Sequence, residues 1–421
     1  MDSRQRVLDT IAHHVPDVIP IDFGSTSVTG MHCRMVAGLR KHYGLEDRPV
    51  RVIEPYQMLG EIDEELQQII GVDCVPLNGR WNWYNIDNTR MHEQMTPWGQ
   101  PVLIAEDIDL TTDEKGDVYV YAAGDRSYPP SGKMPSKAFF FDAIERNTEV
   151  DDDALDPAEN LEEYGPVSDE DLAILADNAV KARATGKAVV ASFGGTGLGD
   201  IAYIPGMALR DPKGIRGIEE WYMSTVIRQD YIDEMFERQV DIALANFEKY
   251  WAAVGENVDI AFICGTDFGT QDSQFCSVDT FEKLWLPHYR RINDWVHEHT
   301  TWKTFKHSCG SIVPLIPGLI EAGFDIINPV QINAAGMKPQ WLKDTYGDRV
   351  TFWGGGVDTQ KVLPFGTPEQ VRQHVIDQCR IMGAGGGFVF DTVHNVQANV
   401  PLANMVAVIE TMRELRSGGA S

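Results

Sequence analysis

The residues with the clearest chemical potential in this chain are His307 and Cys309, two positions apart in Trp302-Lys303-Thr304-Phe305-Lys306-His307-Ser308-Cys309-Gly310. An imidazole and a thiol where a strand-like run meets a glycine point at one ion, and both are donors that zinc prefers. Two donors do not complete a site, and the same side chains serve equally well to cap a helix or fill a core. A third donor comes from Phe390-Asp391-Thr392-Val393-His394-Asn395, which follows the last strand-like segment and offers His394. Cys379 is the rival third ligand. It lies inside the helical segment Gln370 to Met382, remote from any strand end, so His394 is favoured.

Two further loops carry polar groups after apolar runs. In Cys264-Gly265-Thr266-Asp267-Phe268-Gly269-Thr270-Gln271-Asp272, Asp267 and Gln271 are candidates to act as acid or base, to orient a substrate, or to add a ligand. Helix capping by Thr270 or Asp272 is the plainer alternative. Gly354-Gly355-Gly356 lets a ligand approach the backbone closely, and it fits a tight turn equally well. Neither this run nor the glycine-rich Ser192 to Gly199 has the spacing of a nucleotide-binding loop. Trp81 and Trp83 are candidate walls for a flat substrate, with burial in a hairpin interface as the plainer reading.

Eight apolar segments must position these loops. They are 18–24, 71–77, 188–194, 258–265, 302–306, 325–329, 350–354 and 387–390. Their apolar runs are continuous rather than alternating, as a parallel sheet covered on both faces requires. Helical periodicity fills the gaps at Ile232 to Val254, at Thr280 to His297 and from Pro368, where Thr367 and Gln370 predict a capping box and Met382-Gly383 the end. Strand–helix alternation with eight strands predicts α/β architecture: a TIM-type (β/α)8 barrel with its site on the loops at the strands' C-terminal ends. We expect a single domain over 1–421, with an N-terminal helical segment and an insertion at 79–170. Within the insertion, residues 79–125 read as an antiparallel hairpin turning at 113–117, and 126–170 as a surface excursion with a short helix.

Composition narrows the function. Asp and Glu number 63 against 36 Lys and Arg, a net charge of −27 that repels phosphate backbones and argues against nucleic-acid binding. The six cysteines are scattered without paired spacing, as expected of free thiols in a reducing compartment. No apolar run approaches the roughly 20 residues that span a bilayer. The first residues lack the order of a signal peptide. A soluble, cytoplasmic protein is the expectation.

Several stretches resemble the uroporphyrinogen decarboxylase superfamily: 265–271, 281–292 with Leu286-Pro287-His288-Tyr289-Arg290-Arg291, 307–310, 321–331, 352–358 and 386–397. The likeness is good over 255–415 and faint before it. It implies a (β/α)8 barrel. It also implies one of two chemistries. Decarboxylases of the superfamily are similar to one another in an N-terminal Arg-Gln-Ala-Gly-Arg segment that grips porphyrinogen carboxylates. Here Asp22-Phe23-Gly24-Ser25-Thr26-Ser27-Val28-Thr29-Gly30 stands in its place, without arginine. The other branch, corrinoid-dependent methyltransferases, carries His-x-Cys and a distant Cys on zinc. His307 and Cys309 match the first two ligands, whereas His394 occupies the region expected of the third. That departure weakens the inference of a thiol acceptor and brings the chain nearer to methyltransferases that act on methoxylated compounds.

The resemblance therefore implies Zn2+ on His307, Cys309 and His394, with Asp267 as proton donor or as a support for a ligand. Trp81, Trp83, Asn328 and Gln331 are candidates to hold the substrate. The corrinoid (cobalamin) would come on a partner carrier protein, because the Asp-x-His-x-x-Gly signature of such carriers is absent. A small methyl donor or acceptor completes the partners, and self-association stays open. The competing readings are a decarboxylase of a non-porphyrin acid, with Arg34, Arg40 or Arg290 as its cation, and a non-catalytic binding protein.

Overall fold

The computed structural model describes residues 1–147 and 149–418, so Thr148 and the last three residues of the expected domain lie outside the described residues. Seven parallel strands form one curled sheet in chain order: β1 (Cys74–Leu77), β2 (Ala188–Ala191), β3 (Ile260–Cys264), β4 (Lys303–His307), β5 (Ile326–Asn328), β6 (Thr351–Trp353) and β7 (Phe388–Val389). All four residues of β2 and all three of β5 and β6 are buried, the consequence of apolar runs packed on both faces. One face collects Cys74, Val190, Ile260, Phe305, Ile326, Trp353 and Val389 into a separate inner core. Helix Ser3–Ile11 adds Val7 and Ile11 to that core. Its Arg4 and Arg6 bind Asp259 and Asp73, residues just ahead of β3 and β1, so it lies at the N-terminal end of the sheet.

The eighth expected strand is reduced to a bridge. Ile21 pairs in parallel with Phe390. Its carbonyl accepts from the Asp73 N–H at 2.7 Å, and Asp22 N–H donates to the Phe390 carbonyl at 2.9 Å. Pro20 and Gly24 flank this run and limit ladder pairing. The architecture is thus a TIM-like α/β fold built on seven paired strands.

The helical expectations hold with one break. Thr367 and Gln370 form the capping box of helix Pro368–Met382. The segment expected as one helix, Thr280 to His297, is two: Val278–Leu284 and Leu286–His299. Pro287 has no N–H to donate into the preceding turn, so the ladder restarts there.

The insertion departs from a single hairpin. Met91–Met95 pairs with Pro101–Ala105 in a five-stranded sheet, joined by Met31–His32, Val50–Glu54 and Leu59–Gly60. A second hairpin, Leu110–Thr112 with Val118–Val120, turns where Asp113 accepts from the N–H groups of Lys115 and Asp117. That sheet continues through Gly132–Met134 and Asp142–Ala143, residues expected in an irregular excursion. These short strands alternate weakly, so the sequence hid them. No described helix is long and apolar enough to cross a membrane.

Candidate metal centre

The loops after β3, β4 and β7 converge at the C-terminal end of the sheet. His307 ends β4 and is 2% exposed. Its Nδ1 donates to Asn328 Oδ1 at 2.5 Å, while Asn328 Nδ2 donates to the Trp353 carbonyl at 2.9 Å. The second bond fixes which end of the amide faces His307, and so fixes the histidine tautomer, with Nε2 bare. That bare nitrogen lies 3.3 Å from Cys309 Sγ. The His394 ring stands across from His307, centroids 5.2 Å apart and 78° between planes. One ligand atom from each of His307, Cys309 and His394 lies within 4.8 Å of the others.

This donor set fits zinc. Bonds of about 2.0–2.3 Å in a tetrahedron put ligand atoms roughly 3.3–3.8 Å apart. The His307–Cys309 pair already has that spacing. His394 has more to rearrange: its Nδ1 accepts from the Asn395 N–H at 2.8 Å, and ligation through Nε2 needs a proton on Nδ1. Cys379 is excluded from the cluster. It is buried in helix Pro368–Met382, 3.5 Å from Met412 Sδ.

Burial sets the protonation states. It pushes His307 down to about 3, opposed by the Asn328 bond and aided by the Lys306 charge. It pushes His394 down to about 4. Both imidazoles are therefore neutral; His307 keeps its Nε2 lone pair for a metal, and His394 would offer Nε2 once its proton sits on Nδ1. The Cys309 thiol is held well above its ordinary value by burial and by the facing Asp267 carboxylate. Asp267 is raised as well, by burial, although its Oδ1 accepts the Cys309 N–H at 2.6 Å.

The loop itself depends on two glycines. Gly310 has φ of +88°, and a Cβ there would stand 2.2 Å from the Gly269 carbonyl carbon. The β3 and β4 loops thus touch backbone to backbone. Gly310→Ala is expected to cost roughly 2–4 kcal/mol, combining left-handed strain with the clash. Urea unfolding measures it; a stability equal to wild type would refute this account of the loop.

Beside Cys309 opens a cavity of about 420 Å³ whose lining includes Gln271, Phe275, Gln331 and His394. Gln331 Oε1 accepts the Gly310 N–H at 2.6 Å. Three expected substrate contacts lie outside this lining. Asn328 is fully buried with both ends of its amide engaged, so it orients His307 and has nothing left for a substrate. Trp81 is 49% exposed, donates to Asp171 and lies against Arg80, away from the cavity lining. Trp83 stacks with Tyr56 and packs on Tyr203, also outside that lining.

Two contributors went unassigned in the sequence. Lys306 is fully buried, its Nζ donating to the Thr266 carbonyl at 2.6 Å, 5.0 Å from the Phe268 ring centre. A lysine inside an apolar strand beside His307 was the available signal. Asn395 accepts the Gly30 N–H at 2.6 Å and donates to Gln57 Oε1 at 2.7 Å, tying the His394 loop to the N-terminal segment. No local pattern announces that bond.

Residues 233–415 match the family profile described as Uroporphyrinogen decarboxylase (URO-D). No curated protein matches the sequence. Among solved structures, a methyltransferase from Methanosarcina mazei is 12% identical with a TM-score of 0.54, covering 98% of this chain and 99% of its own. At that identity the likeness is one of fold. The profile match over residues 233–415 falls on the part of the chain where the sequence resemblance to the uroporphyrinogen decarboxylase superfamily is good.

Proposed function

We propose that the protein is a zinc-dependent methyltransferase. It moves a methyl group between a small methoxylated or thiol substrate and a corrinoid on a partner protein, and O-demethylation is the favoured form. The observation that carries this reading is the convergence of His307, Cys309 and His394 beside an open cavity. Zinc held by these three residues would supply Lewis acidity, keeping a thiol as thiolate or polarising an ether oxygen. The chain's own groups do the rest. Asn328 keeps His307 in the tautomer with Nε2 free. The cavity-lining Gln271 and Gln331 offer amides to orient the substrate. Asp267, 28% open at the side chain and raised by burial, is the acid nearest the Cys309 loop. The methyl group would pass to the reduced corrinoid of the partner as the ether C–O bond breaks; the bond's electron pair would stay on oxygen, and Asp267 would supply that oxygen's proton.

The decarboxylase reading lacks its cation. Arg40 is paired with Asp63 and Glu65, Arg290 with Glu321, and Arg34 lies over Phe139. None of the three lines the cavity.

The test is direct. Zinc-loaded protein is incubated with a panel of methoxylated compounds and cob(I)alamin, and methylcobalamin is followed by its absorbance. Zinc-dependent methylation is the expected result. Methylation that survives full zinc removal, or carbon dioxide release in its place, sinks the proposal. Asn328→Ala is expected to weaken zinc binding by about 10–100-fold, the usual effect of losing a ligand's supporting bond. Competition with a chromogenic chelator reads this, and unchanged affinity would remove Asn328 from the account.

A further inference from the structure

Helix Ile218–Ile227 is turned inside out. It buries Trp221, Ser224 and Thr225, and leaves Met223 44%, Val226 68% and Ile227 65% exposed. The exposed residues are spaced i, i+3 and i+4, so they form one apolar face on the surface. That face runs to the candidate metal centre. Tyr222, on the same helix, stacks on Phe275 with centroids 4.7 Å apart. Phe275 is itself 42% exposed and lines the cavity with Cys309. Acids predominate on the flanking segments: Glu219, Asp230, Asp272 and Asp279 are exposed, against Lys283, which donates to Gln229 at 2.7 Å. The nearby Arg228 is already paired with Asp152 and Glu220.

We infer that this face is the docking surface for the carrier protein that brings the methyl-bearing group to the cavity, and that the carrier meets it with an apolar patch edged by Lys and Arg. The inference rests on the methyltransferase reading for what the carrier brings. Two observations select this occupant. The patch is continuous with the cavity mouth, so a protein seated there delivers its reactive group beside Cys309. Its mainly acidic flanks, on a chain of net charge −27, repel a second copy and attract a basic edge. Charge of this kind steers encounter, while the apolar centre holds the complex.

The experiment compares wild type with Val226→Asp/Ile227→Asp and with the milder Met223→Ser/Ile227→Ser. The probe is a purified corrinoid carrier bearing the Asp-x-His-x-x-Gly motif and loaded with methylcobalamin. Sedimentation measures the complex, and methyl transfer is measured with carrier-bound and with free methylcobalamin. Both variants are expected to bind the carrier at least tenfold more weakly and to lose carrier-linked transfer in proportion. Their rate with free methylcobalamin should match wild type, and the wild-type complex should weaken as salt is raised. Carrier binding equal to wild type in the aspartate variant overturns the inference. So does wild type that binds no carrier at low salt, or a wild-type dimer that the variants dissolve without loss of carrier binding. Docking with no transfer from either form of corrinoid would leave the surface standing and sink the methyltransferase reading.

Discussion

His307→Ala is expected to lower methyl transfer by on the order of 1000-fold, the loss of several kcal/mol of Lewis-acid stabilisation. His307 is the donor whose free nitrogen is fixed in advance, through Asn328 and then the Trp353 carbonyl. Alanine leaves Cys309 with a single partner, His394, whose Nδ1 is engaged by the Asn395 N–H. The fold should persist, because the apolar side chains of the inner core are untouched. Steady-state rates alongside circular dichroism check this. A folded His307→Ala variant with wild-type turnover would remove the metal from the mechanism.

The second large effect concerns Glu54, at the end of strand Val50–Glu54 and 6% exposed. Its carboxylate accepts the N–H groups of Tyr56 at 2.6 Å and Gln57 at 3.0 Å. Burial outweighs those bonds and raises it from 4.5 to about 7. A folded value above the unfolded one gives a contribution fully present below about pH 4.5 and lost as pH rises through 7. Wild-type stability alone hides this trend. Buried neutral histidines such as His32, pushed down to about 4, contribute the opposite slope over the same range. The difference between Glu54→Gln and wild type isolates the group. Between pH 5 and pH 8 that difference is expected to move by roughly 2–3 kcal/mol in favour of the variant. Urea unfolding at the two pH values measures it, and a difference independent of pH would contradict the assignment. The site feels this position too, because Gln57 connects the Glu54 carboxylate to Asn395 beside His394.

What the sequence made legible follows from how locally each feature is written. Continuous apolar runs marked every strand of the parallel sheet, because burial on both faces leaves no polar alternation. The capping box at Thr367 and Gln370 was equally local. His307 and Cys309 stood out because a two-residue spacing at a strand end aims both side chains at one rim. His394 was reachable once the last strand had been placed. Other features depend on contacts between distant segments. Asn328 was read as a substrate contact, and only the register of β4, β5 and β6 reveals that both ends of its amide are committed. Trp81 suggested a pocket wall, yet its partners are Arg80 beside it and Asp171, on a helix 90 residues on. The reduced strand at Ile21 has the composition of its neighbours and differs only in the flanking proline and glycine that limit pairing.

The most direct measurement is the zinc content of purified protein by plasma emission, comparing wild type with Cys309→Ser after equal exposure to zinc and dialysis. The account predicts close to one zinc per chain in wild type and near none in the variant. Wild type that stays metal-free, or a variant that retains its zinc, would contradict the claim that His307, Cys309 and His394 form a metal centre.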